Sequence, residues 1–419
     1  MRFLRRIGIG VAAIVLAFFA SGCGSQRSEN SSTLEWNGVR ATIRPLSKGV
    51  NRNVLWSPSG NRFCYFSPET QSFQIGTVKP FSIESVRLPN QRHIVALTDE
   101  SAIVASNEDD RNWIYPLTKT GIGKPTAWRA ATDPWQEWAD TQQGPGGILV
   151  GGYSPKSLEL ELDNGEHIPL NGEDAILSMD RKYGAVVSSH RLRRPVHSSG
   201  DTMMPAEHQP FDPLKPIVVW NFSATGGPRK QTVLQLPKID LPNLAGQRKE
   251  VPGGIGISFS PDDKHVFVSV NTGGNGSKLT GESFLFDAST GHLMSKIPYG
   301  NGMQWSADGT SIWVNADQPQ GTGEDKLVTL DGRMVNTWKD VYGRPAWVLK
   351  NATFLMSNAN RQLGFTGWDH SFHPFPNLQA FGYANDPVVP SPNGHSGLLF
   401  LYNNTPQIDY GAVLVEMIQ

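Results

Sequence analysis

The sequence predicts an all-β chain folded as a single β-propeller of eight four-stranded blades, and three observations carry that expectation. A turn between two short apolar runs is written again and again, most clearly as VLWSPSGNRFCYFS (54–67), ISFSPDDKHVFVSV (257–270), MQWSADGTSIWVNA (303–316) and VVPSPNGHSGLLFL (388–401). The copies recur at a spacing of roughly 40–46 residues, the period of a four-stranded blade, with one double step. The 419 residues include 43 Gly and 30 Pro, and only 18% are charged, the balance of a chain made of strands and turns.

Residues 1–22 are set apart from the fold. Arg2, Arg5 and Arg6 precede an apolar stretch, Ile7–Ala20, that is shorter than the ~20 residues a membrane-spanning helix needs and has the length of an export signal. The stretch ends in Ala20-Ser21-Gly22-Cys23, which resembles the lipobox of bacterial lipoproteins. The resemblance implies a diacylglycerol on Cys23, cleavage before it, and a place outside the cytoplasm on the cell membrane or the outer membrane. Cys64 is the other cysteine of the chain and lies in the apolar run RFCYF, as a small buried hydrophobe would. Residues 23–32 are polar and without periodicity, a tether. The propeller then occupies 33–419.

Within it, each copy reads as strand, tight turn, strand. Proline presets φ at the start of the turn, and Gly or Asp late in it accepts the left-handed backbone that a reversal needs. Weaker copies stand at 94–106, 175–189 and 345–358, and WQEWADTQQGPGGILVGG (135–152) fits with a longer turn. The residues at the Ser57 register are then 57, 97, about 138, 178, 260, 306, 348 and 391. Third and fourth strands follow, as in ESFLFD, a turn at Gly291, and HLMSKIP. The double step contains PIVVWNF and KQTVLQLP, one further pair and not two, so it holds one blade with an insertion at 190–215. Eight blades result; seven is the alternative, since the 135–152 copy is the weakest. The last unit ends after three strands at DYGAVLVEMIQ, while TLEWNG and VRATIRPL (33–46) have no blade of their own. An N-terminal strand closing the last blade satisfies both facts and removes an open edge.

The Ser-Pro-Asp-Gly-like turns at 57–60, 260–263, 306–309 and 391–394 resemble the WD40-like repeats of TolB-type propellers, with no α/β domain before the first blade. The resemblance implies a rigid platform for proteins or small ligands, and a fold of this kind also hosts channel enzymes.

The formal net charge of −1 argues against a nucleic-acid partner. No G-x-S-x-G follows a strand; GHSGL (394–398) lacks the second glycine. His370 and His373 in WDHSFHPF are three apart and face opposite sides of an extended chain, a poor metal pair, with His370 in a turn. No cofactor and no metal is expected. The long connections do stand out: 190–215, 237–254, 271–282 and 316–325 all belong to one face of a propeller, and segments of such length are functional or disordered. His190, Arg191, Arg193, Arg194, His197, His208, Arg248 and Lys249 make this region basic, suited to an envelope protein or an anionic glycan or peptide, though a charge run also serves as plain solvated surface. The reading is a monomeric, membrane-anchored binding scaffold without catalysis; the alternative is a carbohydrate-active or other hydrolytic or lyase enzyme with its site in the central channel.

Overall fold

The computed structural model describes residues 31–48, 54–67, 70–88, 92–106, 111–118, 121–130, 142–144, 147–150, 158–162, 166–172, 174–187, 216–223, 231–237, 255–273, 280–297, 301–315, 325–338, 345–376, 378, 388–401 and 411–418. Among them the strands form eight antiparallel sheets in chain order, the architecture of a β-propeller. Sheet 1 holds Val54–Trp56, Arg62–Ser67, Ser72–Thr77 and Ser82–Val86. Sheet 2 holds Arg92–Leu97, Ser101–Ser106 and Arg111–Thr118, with Gly121–Ile122 and Thr126–Ala130 both paired to the last of these. Sheet 3 is Gln142–Gly144, Gly147–Val150, Glu159–Leu162 and His167–Pro169. Sheet 4 is Asp174–Leu177, Tyr183–Val187, Ile217–Asn221 and Gln231–Leu234. Sheet 5 is Ile255–Phe259, His265–Gly273, Thr280–Asp287 and Leu293–Ile297. Sheet 6 is Asn301–Trp305, Ser311–Asn315, Asp325–Thr329 and Met334–Trp338. Sheet 7 is Trp347–Val348, Phe354–Ser357, Leu363–Thr366 and Phe372–Pro374.

Sheet 8 joins the two ends of the chain. Val389–Pro390, Ser396–Leu401 and Gly411–Ile418 come from the C-terminus. Val39–Lys48 pairs with Gly411–Ile418 as a fourth strand, from Arg40 opposite Ile418 to Lys48 opposite Gly411. Ser32–Trp36 then adds a fifth, which the count of four strands per blade does not anticipate. The fifth strand is fastened to sheet 7 as well: Trp36 stacks on His373 at 4.7 Å, and Asn37 and Asn351 exchange side-chain amide bonds to each other's carbonyls at 2.7 and 2.9 Å. Its partners lie in two sheets, so counting strands within one repeat does not reveal it.

The middle strands are apolar at nearly every position because both faces of each sheet are covered. In His265–Gly273 the alternation is visible: Val266, Val268 and Val270 pack toward sheet 4, and Phe267 packs toward sheet 6. Cores of this kind join sheets 1 and 2, 3 and 4, 4 and 5, 5 and 6, 6 and 7, and 7 and 8. One more, with Trp56, Phe63 and Tyr65 against Leu398, Phe400 and Leu414, joins sheet 8 to sheet 1. Sheets 2 and 3 meet through their first strands. Cys64 is buried in the core between sheets 1 and 2, and burial pushes its thiol far up, as a small apolar side chain. The fourth strands carry the exposed Val233, Met294, Met334 and Val335 and form the outer rim.

Three turn registers differ from the sequence reading. In sheet 2 the turn residue is Thr98 and not Leu97: its amide bonds Ser101 O at 2.8 Å in a shorter turn. In sheet 7 it is Leu349 and not Val348, with Leu349 N bonded to Thr353 O at 2.8 Å around a short 3-10 turn, Lys350–Ala352. In sheet 3 the first two strands pair Gly144 with Gly147, and the register residue near 138 lies outside the described residues. Each of these turns lacks the serine that sets the register elsewhere.

Candidate functional site

Five turns between first and second strands share one construction. A buried serine opens each: Ser57, Ser178, Ser260, Ser306 and Ser391. Its amide donates to the carbonyl five residues on at 2.8–3.0 Å, and its Oγ accepts that same residue's amide at 3.0–3.1 Å. In the four turns with Asp180, Asp262, Asp308 or Asn393 at the third position, the serine hydroxyl also donates to that side chain at 2.6–3.0 Å. The same oxygen accepts the amide two residues on, at 2.9–3.2 Å, as an Asx turn does. This is why the chain keeps writing serine, one residue, then an acid or its amide.

The fourth position is left-handed in all five, with φ from 58° to 71°. Glycine occupies it in Gly60, Gly309 and Gly394, where it has no Cβ to strain. Arg181 and Asp263 occupy it in sheets 4 and 5. A side chain in this region costs ~1–2 kcal/mol of backbone strain, so these two charged residues mark the position where the repeat departs from its cheapest solution.

Both side chains are drawn into one cluster. The first strands lie inside the ring, where those of neighbouring sheets approach one another, and their turns cluster at one end of it. Arg181 extends from sheet 4 to sheet 1, where Nη2 donates to the carbonyl of Trp56. Asp99 of sheet 2 is close enough to act on its charge, and Ser59 donates to the Asp99 carboxylate. Burial lowers the Arg181 guanidinium to about 10, against the opposing pull of Asp180 and Asp99. Asp180 is half-buried and meets Asp263 of sheet 5; burial alone would raise it, but bonds from Asp263, Lys182 and Ser178 carry it below the usual carboxylate range. Lys182 Nζ pairs with the other Asp180 oxygen. Asp263 moves the other way: burial first, then the adjacent Asp180 carboxylate, push it up to about 8. Two neighbouring carboxyls thus share a proton at neutral pH. Arg181 Nη1 and Asp263 Oδ1 are buried with no hydrogen-bond partner among the described residues.

This cluster was missed in the sequence. Its signal was present in the alignment of turns, where Gly, Arg, Asp, Gly and Gly stand at one position. Cys23 and the basic residues His190, Arg191, Arg193, Arg194, His197, His208, Arg248 and Lys249 lie outside the described residues. His370 sits at φ 57° in the turn between the third and fourth strands of sheet 7, its ring 4.5 Å from that of Trp338. His373 stacks on Trp36 and its Nε2 lies 3.2 Å from Ser371 Oγ. The two imidazoles serve different neighbours.

No family model matches the chain, and no curated protein matches it. Solved structures that resemble it include Hsv2 of Kluyveromyces lactis, 13% identical over 89% of this chain and 98% of that one, with a TM-score of 0.40. The Dos1 propeller is 12% identical over 89% of this chain and 95% of that one, at 0.44. The β-propeller domain of Cps50 (Swd1) from Myceliophteria thermophila is 10% identical over 92% and 99%, at 0.40.

Proposed function

We propose that this chain is a lipid-anchored protein of the bacterial cell envelope, facing away from the cytoplasm, whose eight-bladed propeller acts as a non-catalytic binding scaffold. The observation that carries this reading is the difference between the two faces of the ring. One face is built from the short serine turns, whose polar groups largely bond one another. The connections at the opposite ends of the strands include residues 188–216, between Val187 and Ile217, and 235–254, between Leu234 and Ile255. Long connections carry binding function more often than short turns closed on themselves.

Eight blades draw support from the eight sheets and their shared cores. Closure by the N-terminal Val39–Lys48 strand draws support from its pairing with Gly411–Ile418 and from the core between sheets 8 and 1. The anchor rests on ASGC at 20–23 and its resemblance to a lipobox. The repeat turns carry the resemblance to TolB-type propellers, and the fitting partner is an envelope protein or an anionic glycan or peptide.

The test replaces residues 191–212 with a short Gly-Ser linker and compares capture from envelope extract. Loop length alters closure entropy slowly, so the melting temperature should hold while capture falls at least tenfold. Unchanged capture moves the site off this face. For the anchor, fatty-acid labelling should mark the wild type and not Cys23→Ala; equal labelling removes the lipid from this reading.

A second reading, a channel hydrolase or lyase, draws on Asp99 and Asp180 both acting on Arg181 and on Asp263 beside Asp180, with Asp263 pushed up to about 8 as a general acid would be. Turnover of a glycoside or ester panel that disappears in Asp263→Asn would favour it over the scaffold.

A further inference from the structure

The cluster on the short-turn face has a structural role that the scaffold reading leaves unused. We propose that Arg181 together with the Asp180–Asp263 pair forms a proton-dependent staple across the short-turn end of the central channel, tying sheet 4 to sheets 1 and 5 and loosening when the pair loses its shared proton.

The geometry is that of a tie between parts of the ring that are not neighbours. Among the described residues sheets 1 and 4 share no apolar core, yet the Arg181 guanidinium reaches the Trp56 carbonyl at the end of the first strand of sheet 1. That carbonyl stands beside another seam bond, since Trp56 Nε1 donates to Val389 O of sheet 8 at 3.3 Å. One guanidinium therefore ends where sheets 8, 1 and 2 meet. The left-handed backbone at Arg181 and Asp263 is occupied by side chains where three sister turns use glycine. Retaining them there costs backbone energy, which the contacts they make offset.

The charges facing this group come from every turn packed on it. Sheet 2 offers Asp99, and sheet 1 offers Ser59 as donor to Asp99. Sheet 4 offers Ser178, Asp180 and Lys182. In sheet 5, Asp262 is held low, burial outweighed by bonds from Ser260 and Lys264, and His265 lies 3.9 Å from it. With one proton on the pair, Asp180 and Asp99 balance Arg181 and Lys182. Removing that proton adds a buried negative charge beside Asp180, and the two carboxylates repel. Lys182, the cation that acts on Asp263, is already paired with Asp180, so separation of the turns of sheets 4 and 5 is the available relief. Arg181 follows Asp180 in the same turn, so this movement shifts the guanidinium as well and weakens the tie to sheet 1.

The sign of the pH effect follows. Asp263 holds its proton in the fold up to about pH 8 and releases it near its ordinary value of 3.8 when unfolded. Its contribution is complete below the unfolded value, declines as pH rises between the two, and is gone above the folded value. Asp180, shifted the opposite way, contributes above the unfolded carboxylate value and loses that contribution in acid.

The full-length protein in mild detergent is melted between pH ~5.5 and ~9.5. The wild type should lose on the order of 5 °C toward pH 8 and then level off. Asp263→Asn mimics the protonated carboxyl and should remove that decline. Asp263→Gly, which takes the conformation of Gly60, Gly309 and Gly394, should also remove it and serves if the asparagine variant fails to fold. A decline that persists at wild-type size in either folded variant overturns the proton dependence. Arg181→Gln at neutral pH should raise hydrogen exchange in residues 54–60 and leave sheet 7 unchanged; unaltered exchange at 54–60 overturns the cross-ring tie.

Discussion

At the scale of single residues, the turn serines explain the repeat, and the glycines beside them separate two costs that are usually confounded. Gly60 and Gly394 hold nearly the same backbone, at φ 71° and 69°. A Cβ at Gly394 meets nothing within 4 Å, whereas one at Gly60 falls 2.7 Å from the Asn393 side-chain amide. That amide donates to Ser59 O at 2.8 Å across the seam between sheets 8 and 1. Gly394→Ala should therefore lose only the left-handed term, ~1 kcal/mol. Gly60→Ala should lose ~2–3 kcal/mol, because it also displaces a hydrogen bond. Urea unfolding of the two variants gives the comparison, and equal losses would refute it. Residues of this kind were readable in the sequence wherever serine and an acid or amide stood two apart. Thr98 and Leu349 were misplaced by one residue because their turns close through shorter or 3-10 geometry, which the pattern of apolar runs does not encode. Arg181 and Asp263 are not legible for a different reason: their importance lies in where the fold brings their ends, and a turn read alone does not contain that.

At the scale of elements, the N-terminal hairpin distinguishes a strand that belongs to the core from one that buttresses it. Val39, Ala41 and Ile43 are fully buried between sheets 7 and 8, while Ser32–Trp36 is half-exposed along its length. Ile43→Ala should cost ~2–4 kcal/mol through lost burial and the cavity left behind. Trp36→Ala should cost less, ~1–2 kcal/mol, through loss of the stack on His373 and partial burial. Chemical denaturation monitored by circular dichroism ranks them, and a reversed order would show that Ser32–Trp36 is the strand that holds the ring. The existence of this hairpin was legible as two runs without a blade, and so was its place in the last sheet. Its fifth strand was not, since the Asn37–Asn351 bonds and the Trp36–His373 stack join residues more than three hundred positions apart. The first strand of sheet 3, Gln142–Gly144, was hidden for a simpler reason: QQG has no apolar residue to announce it.

At the scale of the whole molecule, the two ends of the described chain leave by opposite faces. Ser32 begins beside Pro376, where its hydroxyl donates to the Pro376 carbonyl beyond the last strand of sheet 7. Ile418 ends opposite Arg40, near the Asn37–Gly38 turn that sits on Asn351. The first point lies on the face with the long connections and the second on the face with the serine turns. With a lipid on Cys23, residues 24–31 would span at most ~29 Å when fully extended. On that proposal the ring would have a compass bearing: the face on which Ser32 begins would look down onto the bilayer, and Arg181 would look away from it. A fluorophore on Asn360→Cys, in the connection between two strands of sheet 7, should be quenched more strongly by headgroup quenchers than one attached after Ile418; Cys64 is buried and stays unlabelled. Equal quenching would mean that the ring tumbles on its tether. On the proposed anchor, a fixed bearing would set a constraint that no affinity measurement in solution reveals: a partner on that face would have to fit in the narrow layer between propeller and lipid, and the membrane would become one wall of the binding site.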